Sequence, residues 1–228
     1  YRDAYSGLSR PAWLLSMVMF VNRAGTMVMP FMTLYLTTAL GYTIGKAGWV
    51  MACFGCGAVV GGWLGGKLTD KFGFYFIQLF ALLGGGLMFF VIGQLTEFSQ
   101  ICIASFILAS INEAFRPANS SAITHYSTLE NRTRSFALNR LAINVGWAFG
   151  GALGGIIAST NYHLLFWIDG IPNILPAFFL YFALAPSKIK SVHKAVEKKP
   201  DVIRSPYRDK NYLIYIICVF LYAFTFFQ

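Results

Sequence analysis

The sequence has few charged residues for its length. Only 12% of its 228 residues are charged, whereas 57% are hydrophobic and 17% are aromatic. Because about a quarter of the residues in a soluble globular domain are usually charged, this composition argues against a water-soluble enzyme. A single core would not need repeated uncharged runs near the length of a bilayer crossing. We therefore expect the apolar side chains to face lipid as well as protein.

Cysteines and catalytic motifs are also scarce. The four cysteines lie inside apolar segments, which argues against a disulfide framework or a zinc site. Cys53 and Cys56 are better explained as two small helix-packing residues than as a redox pair. The sequence lacks the H-E-x-x-H, G-x-S-x-G and phosphate-binding Gly-Lys-Ser/Thr motifs. We therefore expect no enzymatic activity, no cofactor and no metal.

Seven apolar segments are long enough to cross a hydrocarbon layer of about 30 Å as helices. They are Trp13 to Leu36, Gly45 to Leu68, Phe74 to Leu95, Ile101 to Ile123, Phe136 to Ile157, Leu164 to Leu184 and Tyr212 to Phe227. Backbone groups find no partners in lipid, and runs of this length without strand alternation favour helices over a barrel. The predicted class is an all-α polytopic membrane protein, with the lipid bilayer as its surroundings.

Basic residues outnumber acidic residues by 18 to 9, and their positions predict the orientation in the membrane. Placing the N-terminus, residues 1–12, in the cytoplasm puts 15 of the 18 cations on the inner side. This orientation disfavours a seven-helix receptor, whose N-terminus would lie outside. Because the cations lie mostly in short gaps between apolar runs, we expect no nucleic-acid partner.

A charged stretch, residues 186–210, separates the first six segments from the seventh. It carries eight Lys or Arg and three acids in 25 residues. We interpret it as a cytoplasmic linker between a six-helix transmembrane domain, residues 13–185, and a seventh transmembrane helix, residues 211–228. A solitary helix after such a linker indicates that the chain is the front part of a longer protein.

The end of the second segment carries a recognisable motif, G-K-L-T-D-K-F-G over residues 66–73. It resembles the loop between helices two and three of the major facilitator superfamily, G-x-L-x-D-R-x-G-R-R/K, although two aromatic residues stand where the family has basic ones. Gly66 and Gly73 suit a tight turn at a helix end. Asp70 would meet the positive N-terminus of a neighbouring helix or a nearby cation.

The fifth segment reads G-W-A-F-G-G-A-L-G-G over residues 146–155. This is similar to the family's fifth-helix pattern G-x-x-x-G-P-x-x-G-G, which is associated with antiporters, with Gly in place of Pro. Gly146, Gly150 and Gly154 would leave one helical face without side chains, so that another helix can approach and slide or rock. We therefore predict that these glycines, with Gly66, Asp70 and Gly73, form the conformational switch.

Two shorter sequences support the same resemblance. Arg116 falls in the fourth segment, where the family has R-x-x-Q-G, and the sequence F-W-I-D-G at residues 166–170 looks like members of the drug:proton antiporter type. The resemblance covers nearly the whole chain. It implies a twelve-helix fold of which this chain is the first half, built from two inverted three-helix repeats, plus the seventh helix. The missing C-terminal half of the same transporter would be its partner.

Ionisable residues inside the segments are the strongest indication of function, because a charge at mid-membrane costs about 2.5 to 3.5 kcal/mol. Arg23 lies near the middle of the first segment. Glu113 and Arg116 lie three residues apart on the fourth, so they share a helical face and can pair. A neutralised pair that only locks helices together is the structural alternative. Asp169, close to the outer end of the sixth segment, is expected to meet water.

Transport gives these residues more specific roles. We predict that Glu113 carries the proton and that Arg116 tunes it, because a neighbouring cation changes the proton affinity of a carboxylate. Arg23 would hold an anionic part of the substrate or become the partner of Glu113 in one state. In the resembled family the first and fourth helices line the central cavity. Neutral groups for substrate binding, or for interhelical hydrogen bonds, come from Asn22, Asn112 and Asn119.

The sequence therefore predicts a secondary transporter that moves a small organic solute by alternating access in a bacterial cytoplasmic (inner) membrane. Proton-coupled antiport, as in drug or metabolite efflux, is preferred because of the fifth-segment glycines. Proton-coupled symport of peptides, sugars or other solutes stays open, and so does a non-transporting receptor or scaffold. The last would be favoured if Arg23, Glu113 and Arg116 were sealed among packed side chains.

Overall fold

The structure, a computed structural model, describes residues 6–184 and 209–226. These residues form eight α-helices and one π-helical turn, and no strand occurs among them. The α-helices are α1 (Arg10–Ala24), α2 (Val28–Leu34), α3 (Ile44–Phe72), α4 (Phe74–Ile92), α5 (Phe98–Tyr126), α6 (Arg132–Ala158), α7 (Tyr162–Ala183) and α8 (Lys210–Phe226). The π-helical turn, Tyr35–Ala39, follows α2 directly. The predicted all-α class is confirmed.

Six stretches of the described residues are long and apolar enough to span a membrane. The first, Arg10–Ala39, combines α1, α2 and the π-helical turn, and α3 to α7 supply the others. They correspond to the first six predicted segments. The seventh segment is the 17-residue helix α8, which belongs to a second compact unit, and its crossing of a membrane stays a prediction. Most of the predicted linker and the first five residues lie outside the described residues.

The packing of the six spans has the symmetry expected of two inverted three-helix repeats. The first span packs on the fifth (α1 on α6), the second on the fourth (α3 on α5), and the third on the sixth (α4 on α7). Exchanging spans one to three with spans four to six converts the first pair into the second and leaves the third unchanged. One apolar cluster fills each end of the bundle, around Phe166 at one end and Phe115 at the other.

Glycines at four-residue spacing bring α3 against α5. A Cβ added at Gly57, Gly61 or Gly65 would collide with the backbone of α5, so the two helices are as close as glycine permits. The hydroxyl of Ser110 on α5 donates to the carbonyl of Gly57 at 3.1 Å. The next glycine, Gly66, lies on another face of α3, where an added Cβ would meet open space.

The first span is interrupted at residues 25–27, and side chains of α7 form hydrogen bonds with the backbone groups that the interruption leaves unpaired. The carboxylate of Asp169 accepts hydrogen bonds from the N–H of Met27, at 2.8 Å, and from the N–H of Val28. Asn173, one turn further along α7, donates to the carbonyl of Gly25 at 3.2 Å. Because lipid cannot satisfy the backbone groups that a broken helix exposes, these two side chains supply the missing partners.

The position of Asp169 corrects the sequence-based expectation. Its side chain was expected to meet water, but it is 0% exposed. The reason is the interruption of the first span, which places the positively polarised start of α2 beside α7 in the interior. Asp169 is therefore a helix cap inside the bundle.

Candidate functional site

A polar cavity of about 560 Å³ lies between α1, α5 and α6. Three arginines line it, one from each helix, together with amide and hydroxyl side chains. The polar lining groups that matter below are Arg23, Arg116, Asn119, Ser120, Asn139 and Arg140. Apolar contacts come from Met19, Phe136 and Ile143. The cavity therefore combines a cationic surface with apolar walls.

The predicted ion pair is present on α5. Arg116 Nε lies 3.0 Å from Glu113 Oε2, and the two side chains are 61% and 18% exposed, respectively. Pro117 follows directly and lies inside the helix. Because proline has no N–H, the carbonyl four residues earlier, that of Glu113, loses its helical hydrogen bond at this point. The ion pair thus lies where α5 lacks one backbone hydrogen bond.

Arg23 lies in the last turn of α1 and is only 7% exposed. Within residues 6–184 and 209–226, its guanidinium makes no hydrogen bond and no ion pair. Its stem is held from the α6 side, where Gly146 leaves room for the Arg23 Cβ. A buried cation thus faces the cavity without a direct counterion.

A chain of buried amides connects α4, α5 and α6 at the cavity. Gln78 Nε2 donates to Asn119 Oδ1 at 3.2 Å, and Asn119 Nδ2 donates to Asn139 Oδ1 at 3.1 Å. Sequence reasoning missed Gln78 and Asn139. The usable signal was an amide within an apolar segment, which is costly in lipid unless it is hydrogen-bonded. Asn119 was predicted and does line the cavity.

Two predicted binding residues lie elsewhere. Asn22 faces α7, where its Nδ2 donates to Asn173 Oδ1 at 2.6 Å. Asn112 faces α4, where its amide packs against Gly85. Adjacent positions on a helix point about 100° apart, so Asn22 and Arg23 cannot face the same neighbour. For these two asparagines the structure places the side chain at a helix interface and outside the cavity.

The predicted switch residues divide into two groups. Gly146, Gly150 and Gly154 are buried against the first span, at Arg23, Ala24 and Met27, so this glycine face is occupied within the same six-helix unit. Gly73 caps α3 with a φ of 88° and donates its N–H to Thr69. Asp70 is exposed and makes no hydrogen bond or ion pair within the described part of the chain.

An apolar groove of about 600 Å³ also lies between α1 and α6. Its walls are formed by side chains such as Trp13, Met17 and Phe20, and its polar contributions are limited to Arg10 and Ser16. A groove of this kind can hold an acyl chain or another helix but offers no proton chemistry. The polar cavity is therefore the candidate functional site.

The chain is similar in sequence to known transporters over most of its length. The chain is 25% identical over 209 residues to the uncharacterized MFS-type transporter YqjV of Bacillus subtilis, covering 91% of this chain and 50% of that protein. It is 23% identical over 198 residues to the quinolone resistance protein NorA of Staphylococcus aureus, covering 87% of this chain and 50% of that protein. The chain thus spans about half the length of these relatives.

A shorter match and a solved structure point the same way. Over 101 residues the chain is 33% identical to the class H tetracycline resistance protein of Pasteurella multocida, covering 44% of this chain and 25% of that protein. A crystal structure of the peptide transporter POT in complex with sulfate superimposes with a TM-score of 0.68 at 19% identity, covering 78% of this chain and 38% of that one. That likeness supports the fold.

The family itself follows from the extent of one match. The model of the Major Facilitator Superfamily matches residues 12–228, nearly the entire chain. Together with six apolar spans, this makes the protein an integral membrane protein. The chain belongs to the Major Facilitator Superfamily.

Proposed function

We propose that this chain is the first half of a proton-coupled antiporter that exports a small organic solute by alternating access. The observation that carries the proposal is the Glu113–Arg116 ion pair beside the unpaired Arg23 at a polar cavity. Two relatives are named for resistance to quinolones and tetracycline, which supports efflux as the direction of transport. The proposed location is a bacterial inner membrane with the N-terminus in the cytoplasm.

Glu113 is the proposed proton carrier. In the described structure its Oε2 lies 3.0 Å from Arg116 Nε. If α5 bends at Pro117 and separates the pair, the carboxylate is left in poorly hydrated surroundings, which favour the neutral, protonated form. Movement of the helix and uptake of a proton are thereby coupled.

The exposure of Arg116 supports transport over a sealed structural pair. The pair lies within α5 and does not join two helices, and the Arg116 side chain is 61% exposed and lines the cavity. The broken first span supports movement as well, because its two halves are joined through α7 and not through a continuous helix. The switch role of Gly66, Asp70 and Gly73 concerns contact with the second half and stays a prediction.

The test is proton-linked transport by the full-length protein in proteoliposomes that contain a pH-sensitive dye. Glu113→Gln should still bind and exchange substrate but should no longer move protons with it. Glu97→Gln is the matched control, because Glu97 is an exposed acid at the start of the same helix. Unchanged proton coupling in Glu113→Gln would refute the assignment of the proton site.

The same assay separates the alternative functions. Proton movement opposite in direction to the substrate indicates antiport, and movement in the same direction indicates symport. Substrate binding without any movement across the membrane would indicate a receptor or scaffold.

A further inference from the structure

The charges around the cavity do not balance. Arg23, Arg116 and Arg140 line it, whereas the one carboxylate paired with any of them is that of Glu113, which Arg116 engages. Asp169 is held by backbone N–H groups of the first span. The remaining acids of residues 6–184, namely Asp70, Glu97 and Glu130, are exposed and make no ion pair there. Arg23 and Arg140 thus have no carboxylate partner within the described residues.

The burial of Arg23 makes this imbalance costly. A guanidinium carries five N–H donors and remains charged in proteins. Burying such a group without hydrogen bonds is unfavourable, and more so within a membrane span. Arg23 is 7% exposed, points into the cavity and is not hydrogen-bonded within the part of the chain described. Its unused donors are available to an acceptor that enters the cavity.

The amide chain adds a donor at the same place. Asn119 gives its Nδ2 to Asn139 Oδ1 and receives Gln78 Nε2 on its own oxygen. The oxygen of Asn139 thus accepts one hydrogen bond from within the chain, and its NH₂ donates to no other group among the described residues, so it can donate to a ligand in the cavity. In the described structure the chain of donors runs from Gln78 through Asn119 to Asn139. A ligand in the cavity thus meets donors from both Arg23 and Asn139.

We infer that this cavity binds the carboxylate of a small amphipathic organic anion, with Arg23 as the main ligand and Arg140 and Asn139 as further donors. A planar guanidinium matches the two oxygens of a carboxylate, which explains the choice of carboxylate over a single-atom anion. Met19, Phe136 and Ile143 line the apolar part, and about 560 Å³ accommodates a small organic molecule. This inference rests on the proposed transport function and names its substrate class.

The test is equilibrium binding to the full-length protein in detergent, measured by thermal shift and by isothermal titration. Each ligand is used in three forms that differ in one group: phenylacetate, phenylacetamide and phenethylamine, with the corresponding branched aliphatic acids, amides and amines. The acids should raise the melting temperature, and the amides and amines should not. Arg23→Gln should weaken acid binding by about 10-fold or more, as expected for loss of a charge-assisted contact.

Matched variants separate ligand binding from folding. Arg23→Lys keeps the charge but loses the two-pronged geometry, so it should bind the acids with intermediate affinity. Arg140→Gln should weaken binding by a smaller factor than Arg23→Gln. Arg134→Gln removes a cation on the same helix as Arg140 but outside the cavity lining, and it should leave binding unchanged.

Three results would overturn the inference. In the first, the amides bind as well as the acids. In the second, Arg23→Gln binds the acids with unchanged affinity, and a lowered melting temperature of this ligand-free variant would then show that Arg23 pairs with another part of the protein. A control with phosphatidylglycerol tests whether the anionic group belongs to a lipid and not to a soluble acid. If this lipid stabilises the protein and the acids do not, which is the third result, the proposal of a solute site is overturned.

The outcomes also distinguish this inference from the proposed function. If acids bind in an Arg23-dependent manner but are not transported with protons, the antiporter proposal fails and the anion site stands. If proton-linked transport of another solute occurs while acids do not bind, the anion site fails and the antiporter proposal stands.

Discussion

Two regions of this bundle contain buried polar groups, and they treat those groups in opposite ways. At the break in the first span, Asn22, Asp169 and Asn173 are all hydrogen-bonded, and we call these three residues the brace. At the cavity, one residue after Asn22 on α1, Arg23 is 7% exposed and has no hydrogen bond within the described residues. In the brace, the polar side chains are hydrogen-bonded to other groups of the protein. In the cavity, the donors of Arg23 are available to a ligand.

This difference is a physical criterion for function. A charge inside a span is costly in either region. In the brace the cost is offset by backbone donors that would otherwise be unsatisfied, so the result is a more stable fold. In the cavity, no hydrogen bond or ion pair from the described residues offsets the cost of the charge on Arg23. Removal of a charge should therefore have opposite effects on stability in the two regions.

The largest effect is expected in the brace, from Asp169→Ala. The substitution removes two charge-assisted hydrogen bonds at the start of α2 and leaves the N–H groups of Met27 and Val28 unsatisfied in the interior. We expect the free energy of unfolding to fall by about 3 kcal/mol or more, with a strongly lowered melting temperature and poor recovery of the protein from membranes. Asp169→Asn keeps one acceptor oxygen, so its melting temperature should lie between those of wild type and Asp169→Ala. A melting temperature equal to that of wild type would show that the brace does not stabilise the break.

The second effect has the opposite sign and is expected in the cavity, from Arg23→Met. Methionine keeps much of the arginine stem but removes the unpaired charge, which should stabilise the ligand-free protein by about 2 kcal/mol. The same variant should lose substrate binding. Thermal unfolding in detergent and transport in proteoliposomes test the two halves of this statement. A lowered melting temperature would mean that Arg23 is satisfied by a partner, and the contrast between the two regions would be lost.

Much of this contrast was accessible from the sequence. Segment length predicted seven spans, of which the first six match stretches long and apolar enough to cross a membrane, and the spacing of Glu113 and Arg116 predicted their ion pair. The burial of Asp169 was not predicted, because that required recognising that the first span breaks. Gly25 followed by Pro30 carried the signal, since proline is tolerated in the first turn of a new helix, where its missing N–H is not needed.

The amide chain was less accessible for a different reason. Gln78, Asn119 and Asn139 belong to three helices, and their contact depends on how those helices are rotated against one another. A single sequence gives the polar positions on each helix but not which of them meet. The same limit explains why the sequence left both substrate binding and interhelical hydrogen bonding open for Asn22 and Asn112, which face α7 and α4 in the structure.

A third prediction concerns the packing that holds Arg23 at the cavity. A Cβ added at Gly146 would lie 2.8 Å from both the Arg23 Cβ and the Phe20 carbonyl oxygen. Gly146→Ala should therefore push α1 away from α6, at a cost of about 1 to 2 kcal/mol, and weaken substrate binding. Gly151→Ala is the matched control, because an added Cβ there meets open space on the same helix. Equal melting temperatures for the two variants would contradict close packing at Gly146.

The smallest effect is expected in the chain of buried amides that connects α4, α5 and α6 at the cavity. Gln78 is the end of the amide chain away from the cavity, and Gln78→Leu removes its bond to Asn119. This should cost about 1 kcal/mol and free Asn119 to reverse its amide, so that Asn139 can turn its oxygen toward the cavity. Stability would change little, but binding of an organic anion would weaken because a donor has become an acceptor. Gln94→Leu, an exposed glutamine just beyond the end of α4, serves as the control. Unaltered anion affinity in Gln78→Leu would mean that the direction of the amide chain has no part in recognition, and that the arginines alone distinguish the cavity from the brace.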